Sequence, residues 1–119
     1  MAVAWADTVV LALGLDNGIE HEGIDRQNNS LPDAQVQFAL KLQAAGNKVV
    51  MLTVNSGALA IDPLLAAEHT TQVIVECFYL NSAGAQAIGS ALFGETNRWG
   101  KLPISVSRST RGVRLTACD

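Results

Sequence analysis

Short apolar runs and segments with helical character alternate along most of this chain. Each apolar run ends at a glycine or a polar turn, a pattern typical of strands buried on both faces of a sheet. The predicted strands are residues 8–14, 49–54 and 72–78. Start and stop signals, or apolar residues at helical spacing, predict helices over residues 30–45, 61–67 and 83–93, of which the second has the weakest pattern.

The first predicted helix has clear signals at both ends. Ser30 can cap it, Pro32 suits the first turn because its missing N–H is not needed there, and Asp33 faces the positive helix end. Gly46 is a helix stop. Later in the chain, residues 101–106 predict an edge strand, because a proline within the run cannot donate to a ladder.

Alternating strands and helices predict an α/β fold. The expected architecture is a three-layer α/β/α sandwich, with a mostly parallel sheet and helices on both faces. We predict that residues 1–106 form this domain. Residues 107–119 carry three arginines and no clear period, so we predict an irregular tail.

Composition narrows the class of protein. Nearly half of the 119 residues are hydrophobic (49%) and 16% are charged, which supplies a core and argues against disorder. The net charge is −3 and no basic stripe is present, so we expect no nucleic-acid partner. The longest apolar run, residues 8–15, is too short to span a bilayer, and no signal peptide is recognisable. The two cysteines predict no disulfide framework.

The segment between the first strand and the first helix concentrates the reactive side chains. Within eleven residues it carries Asp16, Glu20, His21, Glu22, Asp25 and Arg26. Gly18 and Gly23 permit tight bends within the segment. Ligands in open parallel sheets bind outside the carboxyl ends of the strands, which is where this loop begins. An acid beside an arginine can also keep one carboxylate ionised while another is protonated.

Other interpretations of these residues remain open at this point. The loop could be a solvated charged surface. It could also bind a metal through Asp16, Glu20, Glu22 and Asp25, although the spacing matches no calcium loop. Ser56 lies in Asn-Ser-Gly, which is neither a nucleophile elbow nor a phosphate loop.

The sequence, at this loop and beyond it, resembles the second, α/β-sandwich domain of the family 3 glycoside hydrolases. Two motifs carry most of the resemblance: Glu-Gly-x-Asp-Arg at residues 22–26, and Leu-Phe-Gly followed by Asn-x-x-Gly-Lys-Leu-Pro at residues 92–103. The matching blocks cover residues 6–16, 19–35, 49–57 and 87–103. The pattern around the acidic loop is modestly more similar to the β-xylosidase branch than to the fungal β-glucosidases.

The resemblance implies a retaining exo-β-glycosidase that uses two carboxylates. The glutamate of the Glu-Gly-x-Asp-Arg motif, here Glu22, would be the general acid/base. Glu20 would line the sugar site, while Asp25 and Arg26 would orient the loop and bias ionisation. The nucleophilic aspartate lies in a preceding (β/α)₈-type barrel in this family, and no cofactor or metal is implied.

Some features depart from the family pattern. Residues 79–84 replace a Tyr-Pro-Gly turn and a Gly-Gly pair, and residues 97–100 replace Asn-Pro-x-Gly. The barrel and the first strand and helix of the domain have no counterpart, so we expect a sheet incomplete on its N-terminal side. A fragment without the nucleophile should not hydrolyse glycosides alone. The alternative is a freestanding carbohydrate-binding or interaction module with the same fold. Family members are often secreted, periplasmic or vacuolar, but this sequence does not indicate a compartment.

Overall fold

A computed structural model describes residues 5–65 and 71–109 of the chain. Strands and helices alternate along it, as the sequence predicts. In chain order the elements are β1 (Thr8–Gly14), α1 (Asp33–Ala44), β2 (Lys48–Val54), α2 (Asp62–Leu65), β3 (Thr71–Glu76) and α3 (Ser82–Leu92).

The strands form one parallel sheet in the order β1-β2-β3. β1 and β2 pair without interruption from Thr8 opposite Lys48 to Gly14 opposite Val54. Parallel neighbours require a crossover connection, and α1 and α2 supply the two that are needed. The predicted α/β fold with a parallel sheet is therefore confirmed. The carboxyl ends of all three strands lie at one edge of the sheet.

The core lies on one face of the sheet. Alternate residues of β1 and β2 point into it, because side chains change face with a period of two. They pack with buried residues of α1, α2 and the loops before them. The buried cluster consists of Leu11, Leu13, Leu15, Leu31, Ala39, Leu42, Val49, Met51, Leu59 and Leu64.

The opposite face differs from the sequence prediction of strands buried on both sides. Val10 and Val73 lie at paired positions on either side of Val50, and they are 52% and 49% exposed. Helices α1 and α2 both contribute to the buried cluster on the first face. In the described part of the chain, this second apolar face is therefore only partly covered.

Two predictions need correction, the cap of α1 and the edge strand at residues 101–106. Pro32 itself is the N-cap residue of α1, and the helix has no side-chain cap; the Ser30 hydroxyl instead pairs with that of Ser109. Residues 101–106 form no strand, because Pro103 has no N–H and the segment stands off β3, leaving a cleft beside Val73 and Val75. The predicted stop at Gly46 is confirmed, with a φ of +81°.

Helix α3 begins at a side-chain cap. The Asn81 Oδ1 accepts a hydrogen bond from the Gly84 backbone N–H at 2.9 Å. Asn81→Ala should therefore lower the free energy of unfolding by about 1 kcal/mol, the usual loss for an asparagine cap. Urea titration followed by circular dichroism measures this change. Asn81→Asp keeps the acceptor and should retain most of the stability, whereas equal losses in both variants would argue against the cap.

The segment after the cleft returns to the core. The side chain of Asn29 donates to the Ser107 hydroxyl at 3.0 Å and to the Arg108 carbonyl at 3.1 Å. The Ser109 backbone N–H donates to Asp62 Oδ1 at 2.6 Å. Residues 110–119 of the predicted tail lie outside the described residues, and the predicted boundary at residue 106 stays a prediction. Within the described residues, no helix is both long and apolar enough to cross a membrane.

Candidate active-site loop

The acidic loop leaves the carboxyl end of β1 from a fixed point. The Gln35 side chain of α1 bonds both backbone groups of Gly14, donating to its carbonyl and accepting from its N–H, each at 2.9 Å. The next backbone N–H, that of Leu15, donates to Val54 at the end of β2 at 2.9 Å. The start of the loop is thus tied to both a helix and the neighbouring strand.

Asp16 shapes the first bend of the loop. Its Oδ1 accepts from the Gly18 N–H at 2.8 Å, and its carbonyl accepts from the N–H groups of Ile19 and Glu20 at 3.0 and 3.2 Å. Such a local side-chain bond to the backbone two residues on is a standard aspartate turn. Asp16 therefore acts in loop geometry, which accounts for one acid of the dense charge cluster.

Glu22 lies at the tip of a tight hairpin. His21 and Ile24 exchange two backbone hydrogen bonds of 3.1 and 2.9 Å, which leaves Glu22 and Gly23 as the two turn residues. Gly23 has a φ of +85°, a conformation that favours glycine. Glu22 is exposed, so its carboxylate is accessible to a ligand or to another domain.

The two legs of this hairpin are joined by an ion pair at their base. Arg26 Nε lies 2.8 Å from Glu20 Oε2, and the side chains are only 16% and 26% exposed. The N–H does not point along the line to the oxygen, so this is a close ionic contact rather than a linear hydrogen bond. Partial burial reduces screening by water, which strengthens the attraction between the two groups.

The turn after β2 holds both members of the pair. Arg26 Nη2 donates to the Ala58 carbonyl at 2.7 Å, and the Ser56 hydroxyl donates to Glu20 Oε1 at 3.1 Å. Asn55 is fully buried, and its Nδ2 donates to the Gly57 carbonyl at 2.6 Å, which fixes the shape of the turn. A ring of contacts thus closes between the acidic loop and the end of β2.

The four residues predicted from the sequence take different positions. Glu20 and Arg26 are brought together, Glu22 stands at the tip, and Asp25 is an exposed residue next to Arg26. In the sequence, Ser56 was considered as a nucleophile and as part of a phosphate loop, and its contact with Glu20 was missed. The signal for that contact was available, because turns after neighbouring parallel strands lie at the same sheet edge.

The acidic loop was also considered as a metal site. Among the residues that the structure describes, no group of three or more His, Cys, Asp or Glu side chains could hold a metal ion.

Away from the loop, burial and the nearby Glu76 carboxylate raise the pKa of the Cys77 thiol above its ordinary value. This thiol is therefore held in its neutral form, as expected for a small buried side chain.

The chain is similar to known glycosidases along nearly its whole length. It is 35% identical over 108 residues to a periplasmic β-glucosidase of Salmonella typhimurium, covering 91% of this chain and 14% of that protein. It is 34% identical over 100 residues to probable β-D-xylosidase 7 of Arabidopsis thaliana, covering 84% of this chain and 13% of the relative. The chain therefore spans about one seventh of the length of these relatives.

A solved structure and a family model agree with these relatives. The fold superposes with a TM-score of 0.72 on a family 3 exo-β-xylosidase in complex with a xylobiose aziridine activity-based probe, at 28% identity. That match covers 79% of this chain and 12% of the solved chain. The model of the glycosyl hydrolase family 3 C-terminal domain matches residues 1–117. The chain therefore belongs to the glycosyl hydrolase family 3 C-terminal domain family.

Proposed function

We propose that this chain supplies the general acid/base, Glu22, of a retaining exo-β-glycosidase. The observation that supports it best is the position of Glu22, exposed at the tip of a two-residue turn whose base is held by Glu20 and Arg26. A proton donor that serves a substrate bound elsewhere must project from its own domain and yet keep a fixed direction. A clamped hairpin meets both requirements.

The reaction needs a second carboxylate. Retaining glycosidases place the nucleophile about 5–5.5 Å from the acid/base. In this proposal an aspartate of a barrel domain attacks the anomeric carbon while Glu22 protonates the departing glycosidic oxygen. Glu22 then removes a proton from the water that hydrolyses the glycosyl-enzyme. This chain alone is therefore inactive, and its substrate is a β-xyloside or β-glucoside, as the names of its relatives suggest.

The neighbouring residues have supporting roles in this proposal. Arg26 of the loop pairs ionically with one carboxylate oxygen of Glu20, and Ser56 of the turn after β2 donates to the other, which favours a structural role beside any contact with the sugar. Arg26 joins the hairpin to the Ala58 carbonyl and so orients it. Asp25 is exposed beside Arg26 in the chain and could accept a hydrogen bond from a sugar hydroxyl.

A rescue experiment tests the assignment of Glu22. In the complete enzyme, in which this segment is joined to a barrel domain, Glu22→Gly removes the base that activates water. With a dinitrophenyl β-glycoside, which leaves without protonation, the glycosyl-enzyme should accumulate. Azide attacks it without needing a base, so added azide should raise kcat at least about tenfold, within the contribution of a general base. The product should be the β-glycosyl azide, identified by NMR.

Glu20→Gly in the same enzyme is the matched control, because it removes the carboxylate two positions away. It should give no azide acceleration and no glycosyl azide. Rescue of the Glu20 variant without rescue of the Glu22 variant would transfer the acid/base role to Glu20. The absence of rescue in both variants would remove the role from this loop.

A further inference from the structure

The turn after β2 carries one exposed side chain that contacts the acid/base hairpin. Ser56 lies 36 residues beyond Glu20 in the sequence, yet its hydroxyl donates to Glu20 Oε1 at 3.1 Å. Ser56 and Gly57 follow a fully buried Asn55, so the turn starts from a fixed point at the end of the sheet. The hydroxyl therefore reaches the acidic loop from a turn that is anchored at the end of the sheet.

The contacts attach each leg of the hairpin separately. The leg before the tip is attached through Glu20 to Ser56. The leg after the tip is attached through Arg26 to the Ala58 carbonyl at 2.7 Å. Arg26 also crosses Gly57 closely enough that a Cβ there would lie 3.5 Å from its Nη2. With the ion pair between Glu20 and Arg26, these contacts resist tilting of the hairpin in either direction.

We propose that Ser56 is a positioning residue, which sets the direction of Glu22 through its hydrogen bond to Glu20. This inference rests on the proposed function of Glu22. Ser56 does not touch the reacting atoms. It fixes the part of the hairpin before the tip, and this restricts the Glu22 carboxyl to orientations from which it can protonate the glycosidic oxygen. Loss of one hydroxyl leaves the ion pair in place and should loosen the hairpin without unfolding it.

The expected effect of Ser56→Ala depends on the substrate. A misdirected acid slows only those reactions in which the leaving group must be protonated. For an alkyl glycoside or a disaccharide, kcat/KM should fall about three- to tenfold, the scale of one hydrogen bond. For a dinitrophenyl glycoside, which needs no protonation, kcat/KM should stay within about twofold of the unchanged enzyme. A general loss of folded protein would lower both values equally.

The contact with Glu20 is tested by a double-mutant cycle in the complete enzyme. Ser56→Ala should have no further effect in a Glu20→Ala background, which has no side-chain acceptor for the Ser56 hydroxyl, because residues that act through one contact are not additive. Ser56→Thr retains the hydroxyl and should restore the rate on the disaccharide. Ser105 is an exposed serine of the segment after α3, and Ser105→Ala is the matched control. It should change kcat/KM for neither substrate.

The outcomes separate this inference from the proposal on which it rests. If Glu22→Gln leaves hydrolysis of the disaccharide unchanged, the role of Glu22 is wrong and that of Ser56 falls with it. If Glu22→Gln acts as expected, three results would overturn the Ser56 inference alone. These are an unchanged rate for Ser56→Ala on the disaccharide, an equal loss on both substrates, or a loss that persists in the Glu20→Ala background.

Discussion

Replacing Glu22 by glutamine in the complete enzyme is expected to lower kcat/KM for disaccharides and alkyl glycosides by about 10²–10⁴-fold. This is the usual contribution of a positioned general acid. Glutamine is close to glutamate in size and can occupy the same hairpin tip, but it has no proton to give to the leaving oxygen. The change should therefore act on chemistry rather than on folding. Initial rates at low substrate concentration measure it.

Asp7→Asn provides a charge-matched control for this substitution. Asp7 is also exposed and loses one negative charge, but it lies before β1, at the opposite end of that strand from the acidic loop. The kcat/KM of the Asp7→Asn enzyme should stay within about twofold of the unchanged enzyme, because surface substitutions away from caps, cores and sites usually have small effects. A comparable loss in the two variants would mean that net charge, rather than the proton of Glu22, accounts for the effect.

Gly14→Ala is expected to lower the free energy of unfolding by about 3 kcal/mol, near the upper end of overpacking losses. A Cβ at Gly14 would overlap the carbonyl oxygen of Val54 and would lie 2.7 Å from the carbonyl carbon. Both atoms belong to the backbone of the paired strand β2, so no rotamer change can relieve the overlap. To relieve the overlap, the backbone of β1 must move away from β2, and this displacement should also move the start of the acidic loop.

Gly89→Ala is the matched control for this second prediction. Gly89 lies inside α3, and a Cβ there would meet no atom within 4 Å. Because alanine forms helices better than glycine, this variant should gain about 0.5–1 kcal/mol. Urea titration followed by far-ultraviolet circular dichroism suits both variants, since Trp5 and Trp99 are 89% and 49% exposed and report little on the core. Equal stabilities for the two variants would contradict the close approach of β1 and β2.

The order of the elements was predictable because short apolar runs and helical segments have different periods. Residues 49–54 read as a strand and lie within β2, and the helix predicted over residues 83–93 differs from α3 by one residue at each end. Gly46, the predicted helix stop, adopts a positive φ angle after α1, and Gly94 does the same after α3. These signals are local, so the sequence alone carries them.

Features that depend on distant partners were not predictable in the same way. Val10 and Val73 look like buried strand residues in sequence, but their exposure depends on what covers the second face of the sheet. Ser30 has the chemistry of a helix cap, yet its hydroxyl pairs with Ser109, 79 residues away. Residues 101–106 have the composition of a strand, but pairing also requires a neighbour within hydrogen-bond distance.

In the candidate site too, local features were predictable from the sequence and contacts between distant segments were not. The density of acids between Asp16 and Arg26 indicated the loop, and the two glycines indicated that it bends tightly. The hairpin register that places Glu22 at the tip depends on backbone bonds between His21 and Ile24. The contact between Ser56 and Glu20 joins two separate chain segments, so the parallel topology indicates it and no local pattern does.

The most direct test of the role of Glu22 is the dependence of kcat/KM on the basicity of the leaving group. A series of aryl and alkyl β-glycosides would be measured with the complete enzyme and with Glu22→Gln. We expect a shallow dependence for the unchanged enzyme, because in the proposed mechanism Glu22 neutralises the departing oxygen. For Glu22→Gln we expect a steep fall as the pKa of the leaving group rises, with rates that converge for the dinitrophenyl glycoside. Parallel lines for the two enzymes would contradict the assignment of Glu22 as the proton donor.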